Sequence, residues 1–309
     1  VTRRSNVVTS PYALSKPLTR RGVLGRKVLK KFLYSQLALR QGLMIVLGKE
    51  QPLVRFTVEG DPPSVYVVYR VRDDRVADLG VVFGLASGLV PTPIRCIDGE
   101  APQYYLVLNY YRVSGLARGL RAEWSIFVAD EIGVPRYMVV DACSNEFSID
   151  PVDVKTRRSP VAHRREANRI VSAIGEADRS YECTIDLDDD ATDFVKTDPQ
   201  WSRANDFIYW TNGICDRTFY DAGMHDARVR RVPATSCTII DRTPWRELVE
   251  AEPVHVLVFE DAIELAMSPW ENLAHIRGGA RSNGVPIQAY HSTSSMVRPS
   301  EPSSEDSRR

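Results

Sequence analysis

A chain of 309 residues, 43% of them hydrophobic, holds enough apolar material for one large domain or two ordinary ones. Its 40 Lys and Arg balance 40 Asp and Glu, so no global charge argues for nucleic acid, and none is expected as a partner. The five cysteines (Cys96, Cys143, Cys183, Cys215, Cys237) are odd in number, widely spaced and without a CxxC pair, which favours reduced thiols over a disulfide framework and leaves no zinc spacing; buried thiols of a cytoplasmic protein are the expectation.

The charge is unevenly spread. Residues 1–50 carry eleven Lys and Arg against Glu50 alone, so the remainder is net negative by ten. Residues 1–17 are polar and basic, lack periodicity and are expected to be disordered. Over 18–50 the pattern turns helical: Leu24, Val28 and Phe32, then Leu29, Leu33 and Leu37, recur at helical spacing among Arg26, Lys27, Lys30, Lys31 and Arg40. This reads as a basic amphipathic helix over 19–47, either lying on an anionic membrane surface or packed on its own domain. Lys30 and Lys31 interrupt any secretory core, and the uncharged run Gly42–Gly48 is far short of the roughly 20 residues of a membrane span. The first residue, Val, reads either as a GTG start or as a trimmed end; the preference for Arg over Lys fits a GC-rich bacterial genome and favours the first.

Residues 51–275 read as a single β-rich domain. Strands are expected at 52–58, 64–71, 103–113, 120–129, 134–142, 159–165, 168–174, 180–187, 206–211, 214–220, 226–239 and 253–260, all rich in Val, Ile, Tyr and Phe between Gly, Asp, Asn and Pro. Asn212-Gly213 suits a two-residue hairpin turn. Helices are expected at 74–87 and at 243–250, the latter opened by Thr243-Pro244. Residues 276–309, rich in Gly, Ser and Pro, are expected to be disordered. Many strands and few helices make an α+β fold, mainly β; strands apolar on both faces, such as YYLVLNYY (104–111), need a covering layer on each side, as a double-layered barrel provides.

The candidate chemistry is sparse. On 120–129, two-residue alternation places Arg121, Glu123, Ser125 and Phe127 on one face, opposite Leu120, Ala122, Trp124, Ile126 and Val128. Arg121 held by Glu123 can bind a carboxylate or carbonyl oxygen, or form a structural ion pair. Arg136 offers a fixed positive charge to an anionic group, or follows a turn into solvent. Alternation puts Asp141 on the opposite face from Arg136 unless a bulge intervenes. Among five histidines, His163 in AHRRE is the acid/base candidate, with a solvated charged strand as the alternative. The hairpin NDFIYWTNGICDRTFYD offers Tyr209, Trp210, Asp216 and Arg217 as ligand-cavity lining, or as ordinary core. The acidic run DLDDDATD (186–193) lacks EF-hand spacing and reads as a solvated turn. Nucleotide-binding and hydrolase motifs are absent, so no cofactor and no metal are expected.

DDRVADLGVVFGLASGLVPTPIRC (73–96) sets a short helix before a Pro-containing segment and a strand, followed by YYLVLNYYRVSG (104–115) and RAEWSIFVADEIGVPRYMVVDA (121–142). This order resembles the acetoacetate decarboxylase family over about residues 64–142, with a looser echo to about residue 175. The resemblance implies a β-barrel or cone with peripheral helices around a mostly apolar cavity, commonly assembled into homo-oligomers. It also implies chemistry through a Schiff-base lysine within Gly-Phe-Pro-Lys-Lys. Here the comparable stretch is Gly133-Val134-Pro135-Arg136-Tyr137, so Arg136 stands at the lysine's place. A guanidinium stays protonated and forms no imine, and the two lysines beyond Lys49, Lys155 and Lys196, lie in loop-like, solvated sequence. Two readings stay open: an acetoacetate decarboxylase-like protein without the lysine, acting on or binding a small to medium carbonyl or carboxylate compound, and a non-catalytic carrier of an apolar or lipid-like ligand that docks on a membrane through 19–47.

Overall fold

The computed structural model describes residues 54–115, 119–129, 133–146, 157–175, 179–187, 192–204, 207–210, 215–220 and 228–267, with scattered positions between 32 and 47. The expected disorder of 1–17 and 276–309 lies outside these residues. Within 32–46 the described positions are helical, and Phe32, Leu39, Leu43 and Val46 are exposed. No helix among the described residues is long and apolar enough to cross a membrane.

The chain is mainly β. Its strands are β1 (Val54–Val58), β2 (Ser64–Arg70), β3 (Val90–Pro91), β4 (Tyr105–Gly115), β5 (Gly119–Ala129), β6 (Pro135–Ser144), β7 (Arg157–Arg158), β8 (Val161–Glu166), β9 (Arg169–Ile174), β10 (Tyr181–Asp186), β11 (Asp193–Lys196), β12 (Phe207–Trp210), β13 (Cys215–Tyr220), β14 (Arg228–Val232), β15 (Cys237–Asp241), β16 (His255–Phe259) and β17 (Ile263–Met267). Thirteen form one sheet in the order β11-β14-β16-β2-β4-β1-β17-β13-β12-β6-β5-β3, with β7 on β6; β15-β10-β9-β8 form a second. Pairing is antiparallel throughout except at β12–β6 and β6–β7.

β4 organises the large sheet. Along one edge it pairs with β5 from Leu106 to Val113. Along the other it pairs with β2 and then with β1, which meets it at Val113–Gly115. From β1 the pairings run through β17, β13, β12, β6 and β5, and so return to β4.

Each long strand feeds two cores. Val65, Val67, Leu106, Leu108, Trp124, Ile126 and Met138 pack on one face, against Ile170, Ile174, Tyr181 and Cys183 of the second sheet. Their neighbours Tyr66, Val68, Tyr105, Val107, Phe127, Tyr137 and Val139 pack on the other, with Ile208 of β12 and with Trp201 and Ala204 of helix α2 (Pro199–Ala204). This is why the strands are apolar on both faces: period-two alternation serves two layers. Cys96, Cys143 and Cys183 are buried thiols, as expected, and Cys237 is half-buried.

Three local expectations are corrected. The single strand expected over 226–239 is two, β14 and β15, in different sheets; Pro233, which has no N–H to donate to a ladder, and a 3-10 turn (Ala234–Ser236) separate them. The helix expected over 74–87 is a 3-10 turn (Asp73–Asp78) followed by one α-turn, α1 (Leu79–Val82), ended by Gly84 at φ +57°. The segment after Thr243 is a five-residue 3-10 helix, and the Thr243 hydroxyl donates to Asp241 instead of capping it. β12 and β13 pair antiparallel, with Tyr209 opposite Cys215 and Ile208 opposite Asp216; the expected turn at Asn212-Gly213 lies outside the described residues.

Candidate ligand-binding site

β5 presents the two faces that its alternation dictates. Ala122, Trp124, Ile126 and Val128 enter the core shared with the second sheet, whereas Phe127 enters the other. Arg121, Glu123 and Ser125 share the face of Phe127. Arg121 Nε donates to Glu123 Oε1 at 2.6 Å, and the two side chains are only 7% and 8% exposed. The ion pair is therefore buried, not a feature of a wet sheet surface.

Cross-strand register brings further polar groups to the pair. Asn109 of β4 stands opposite Glu123 on one side and opposite Tyr66 of β2 on the other. Ser125 is next on the inner face, and Tyr137 of β6 stands opposite Phe127, their rings edge to face with centroids 5.4 Å apart. Burial pushes the Tyr66 phenol up to about 12, with Asn109 pulling the other way and the Glu123 carboxylate adding to the rise. The Tyr137 phenol is pushed well up by burial and by its neighbours Tyr66 and Glu123. Both phenols thus keep their protons at neutral pH and are donors to an oxygen atom. Tyr66 also touches Trp201 edge to face and tilts against Phe259, at centroid separations of 5.5 and 5.0 Å.

The cluster is under-satisfied. Asn109 Oδ1, Ser125 Oγ and Tyr137 OH are all buried and complete no hydrogen bond. Ser125 and Tyr137 lie close enough for the hydroxyl to lower the phenol's pKa, yet their geometry falls short of a bond. Buried polar atoms normally find partners, since leaving one unmet costs about 1–3 kcal/mol. Three such atoms on one face, beside the ion pair and among aromatic rings, are open to a water or another small polar molecule.

The other candidates fall elsewhere. Arg136 stands opposite Val128 and so faces the second sheet, away from Arg121 and Glu123. β6 carries a bulge: Trp124 pairs with Asp141 and Ser125 with Val139, leaving Val140 extra. That residue reverses the alternation and brings Asp141 to the face of Arg136, where plain alternation opposes them; Asp141 lies 3.6 Å from Arg179. His163 also lies between the sheets, 3% exposed and stacked near Tyr110. Its Nε2–H donates to the Pro63 carbonyl at 3.0 Å, so its Nδ1 accepts from the Ser172 hydroxyl at 2.8 Å. Burial lowers its pKa to about 4, leaving it neutral with both nitrogens engaged. Lys196 is exposed on β11, a strand rather than the expected loop. The side chains of Tyr209, Trp210, Asp216 and Arg217, and the whole of Lys155, lie outside the described residues.

Sequence reasoning missed Tyr66, Asn109 and Tyr137. Asn109 had a signal, being the one polar residue in YYLVLNYY. The tyrosines had none, because a tyrosine in a strand is ordinary core material. Also unforeseen is a buried His255, whose Nε2 lies 2.9 Å from Glu100; Glu100 lies 3.8 Å from Arg231, which in turn pairs with Asp193 at 2.8 Å. Among the described residues no group of His, Cys, Asp and Glu is arranged to hold a metal ion. No family model, no curated protein and no solved structure matches the chain.

Proposed function

We propose that the chain binds a small carbonyl or carboxylate compound inside a barrel of the acetoacetate decarboxylase-like kind, without Schiff-base chemistry. The observation that carries this reading is the set of three unmet buried polar atoms, Asn109 Oδ1, Ser125 Oγ and Tyr137 OH, next to the Arg121–Glu123 pair. The barrel reading is supported by the circuit of pairings that returns to β4. It is supported further by Val58, Ile263, Ile208, Tyr137, Phe127 and Val107, one from each of six strands of that circuit, which share a core. In this reading the shared core is the interior, and the polar cluster is its recognition end. Protonated phenols and the Ser125 hydroxyl donate to the ligand's oxygens, Asn109 Oδ1 accepts from a hydroxyl or enol, and Glu123 fixes the Arg121 guanidinium as the positive charge nearby. Arg136 and His163 stand outside this interior and take no part.

The test is a thermal-shift and NMR titration of the full chain with acetoacetate, other short β-keto acids and simple monocarboxylates. At least one should raise the melting temperature, and the gain should vanish in Tyr137→Phe and Ser125→Ala. Borohydride added with acetoacetate should leave the protein mass unchanged. No stabilisation by any member of the panel, or a reduced adduct at Lys155 or Lys196, would overturn the proposal.

A second reading, a carrier of an apolar ligand docked on an anionic membrane, is favoured by one observation. Phe32, Leu39, Leu43 and Val46 fall on one stripe at helical spacing and are 59–83% exposed. Sedimentation with anionic vesicles, lost on Leu39→Glu with Leu43→Glu, distinguishes it from the first.

A further inference from the structure

β15 is the last strand of the four-stranded sheet and, among the described residues, pairs with β10 alone. In an antiparallel ladder, pairs that exchange hydrogen bonds alternate with pairs that do not. Arg242 N donates to Ser180 O at 3.0 Å. Counting back from that pair, Ile240/Glu182 and Thr238/Thr184 carry the remaining bonds. The N–H and C=O of Ile239 and Asp241 therefore turn to the free edge, together with the C=O of Cys237, whose N–H is taken by Ala234 O. Among the described residues no backbone bond reaches these outward groups of Ile239 and Asp241.

Protein edges are usually guarded by Pro, Lys, a bulge or a covering segment. β15 reads CTIID, with none of those side chains, an unbroken register and Ile240 42% exposed. The edge opens on a cleft of about 470 Å³ that it shares with residues Val249–Pro253 and Tyr69. Tyr69, Cys237, Ile239 and Val249 give it an apolar side; its charged lining is Arg242 and Arg246, both exposed, with Asp241, Glu250 and Glu252. Glu250 pairs with Arg70 at 3.5 Å and Asp241 accepts from Thr243, so among the described residues the two guanidiniums face one uncommitted carboxylate, Glu252. Neither guanidinium enters an ion pair or hydrogen bond among the described residues.

We propose that an extended peptide bearing an acidic side chain adds to β15 in this cleft as a fifth strand. The outward N–H and C=O groups of Ile239 and Asp241 provide the ladder, the apolar side takes alternate side chains, and Arg242 and Arg246 take the acidic one. The five residues of β15 offer a track of about 17 Å at roughly 3.3 Å per residue. A second copy of the chain fits less well. Residues 249–253 line the same cleft as the edge, and a single strand needs less room there than a whole sheet edge.

The test selects binders to the full chain from a phage-displayed library of random dodecapeptides and measures the enriched peptides by fluorescence anisotropy and amide exchange. Enriched sequences should alternate apolar residues with at least one Asp or Glu. The double variant Arg242→Glu, Arg246→Glu, altered only at exposed positions, should bind at least about tenfold more weakly. The amides of Ile239 and Asp241 should exchange at least about tenfold more slowly in the complex, while those of Thr238 and Ile240, already bonded, should change little. Ile239→Pro removes one outward donor and should also weaken binding; if it fails to fold, the charge variant decides. No enrichment, binding indifferent to the charge reversal, or unchanged exchange at Ile239 and Asp241 would overturn the proposal. So would a dimer that protects these two amides with no peptide present, which would assign the edge to a second copy.

Discussion

Two polar places are buried on opposite faces of the same sheet, and they are finished differently. Between the sheets, His163 has a donor for one nitrogen and an acceptor for the other, and its ring stacks beside Tyr110. On the inner face, the Arg121–Glu123 pair is made, but Asn109, Ser125 and Tyr137 around it each keep an unmet atom. A buried polar group whose partners are all internal needs nothing more and stabilises one packing arrangement. A cluster with spare donors and acceptors has capacity left over, and a ligand or water is what fills it. The difference separates a structural histidine from a candidate site without appeal to residue type.

The comparison breaks first at Glu123. Glu123→Ala should cost about 3–5 kcal/mol, because it removes a buried carboxylate that accepts from the Arg121 guanidinium. A denaturant midpoint equal to wild type would put the pair in water and remove the site. Replacing both partners, as Arg121→Met with Glu123→Leu, should cost far less than the single change.

At His163 the lever is pH. Its folded pKa, about 4, lies below the ordinary 6.5, so between those values the unfolded chain binds the extra proton. Its contribution is complete above pH 6.5 and is lost as the pH falls towards 4, by about 3 kcal/mol in all. Urea melts across that window should show the loss, and His163→Asn should flatten it. An unchanged slope in the variant would show that the ring is not held neutral by burial.

Smaller effects sharpen the contrast between met and unmet groups. Ser172→Ala removes the donor to His163 Nδ1 and should cost about 1–3 kcal/mol. Ser125→Ala and Tyr137→Phe remove atoms that bond nothing in the protein, so they should be neutral or stabilising by up to about 1 kcal/mol while weakening ligand binding. Thermal melts of the three variants decide; a clear loss for Ser125→Ala would mean that its hydroxyl is satisfied within the fold.

Local features were the legible ones. Period-two alternation and β-branched composition located most strands and sorted β5 into its two faces, because both signals act within a few neighbouring residues. The same locality made the sequence blind where a single residue changed the count. Pro233 divided one expected strand between two sheets, and Val140, as a bulge, set Arg136 and Asp141 on one face. Nothing in the residues around Arg136 or His163 revealed that both face away from Arg121 and Glu123, since that depends on which strand lies alongside and which layer covers it.

The sequence by itself determined that the chain is mainly β, that its long strands are apolar on both faces, and that Arg121 and Glu123 are same-face neighbours. Each of these follows from side chains alternating along one strand. Only the tertiary structure decided that the pair is dry and that Tyr66, Asn109, Ser125 and Tyr137 gather round it. The same holds for the edge of β15, which meets no further strand among the described residues and lies beside a cleft. Those outcomes rest on register between strands far apart in the chain and on what packs over each face, and no short stretch of residues encodes either.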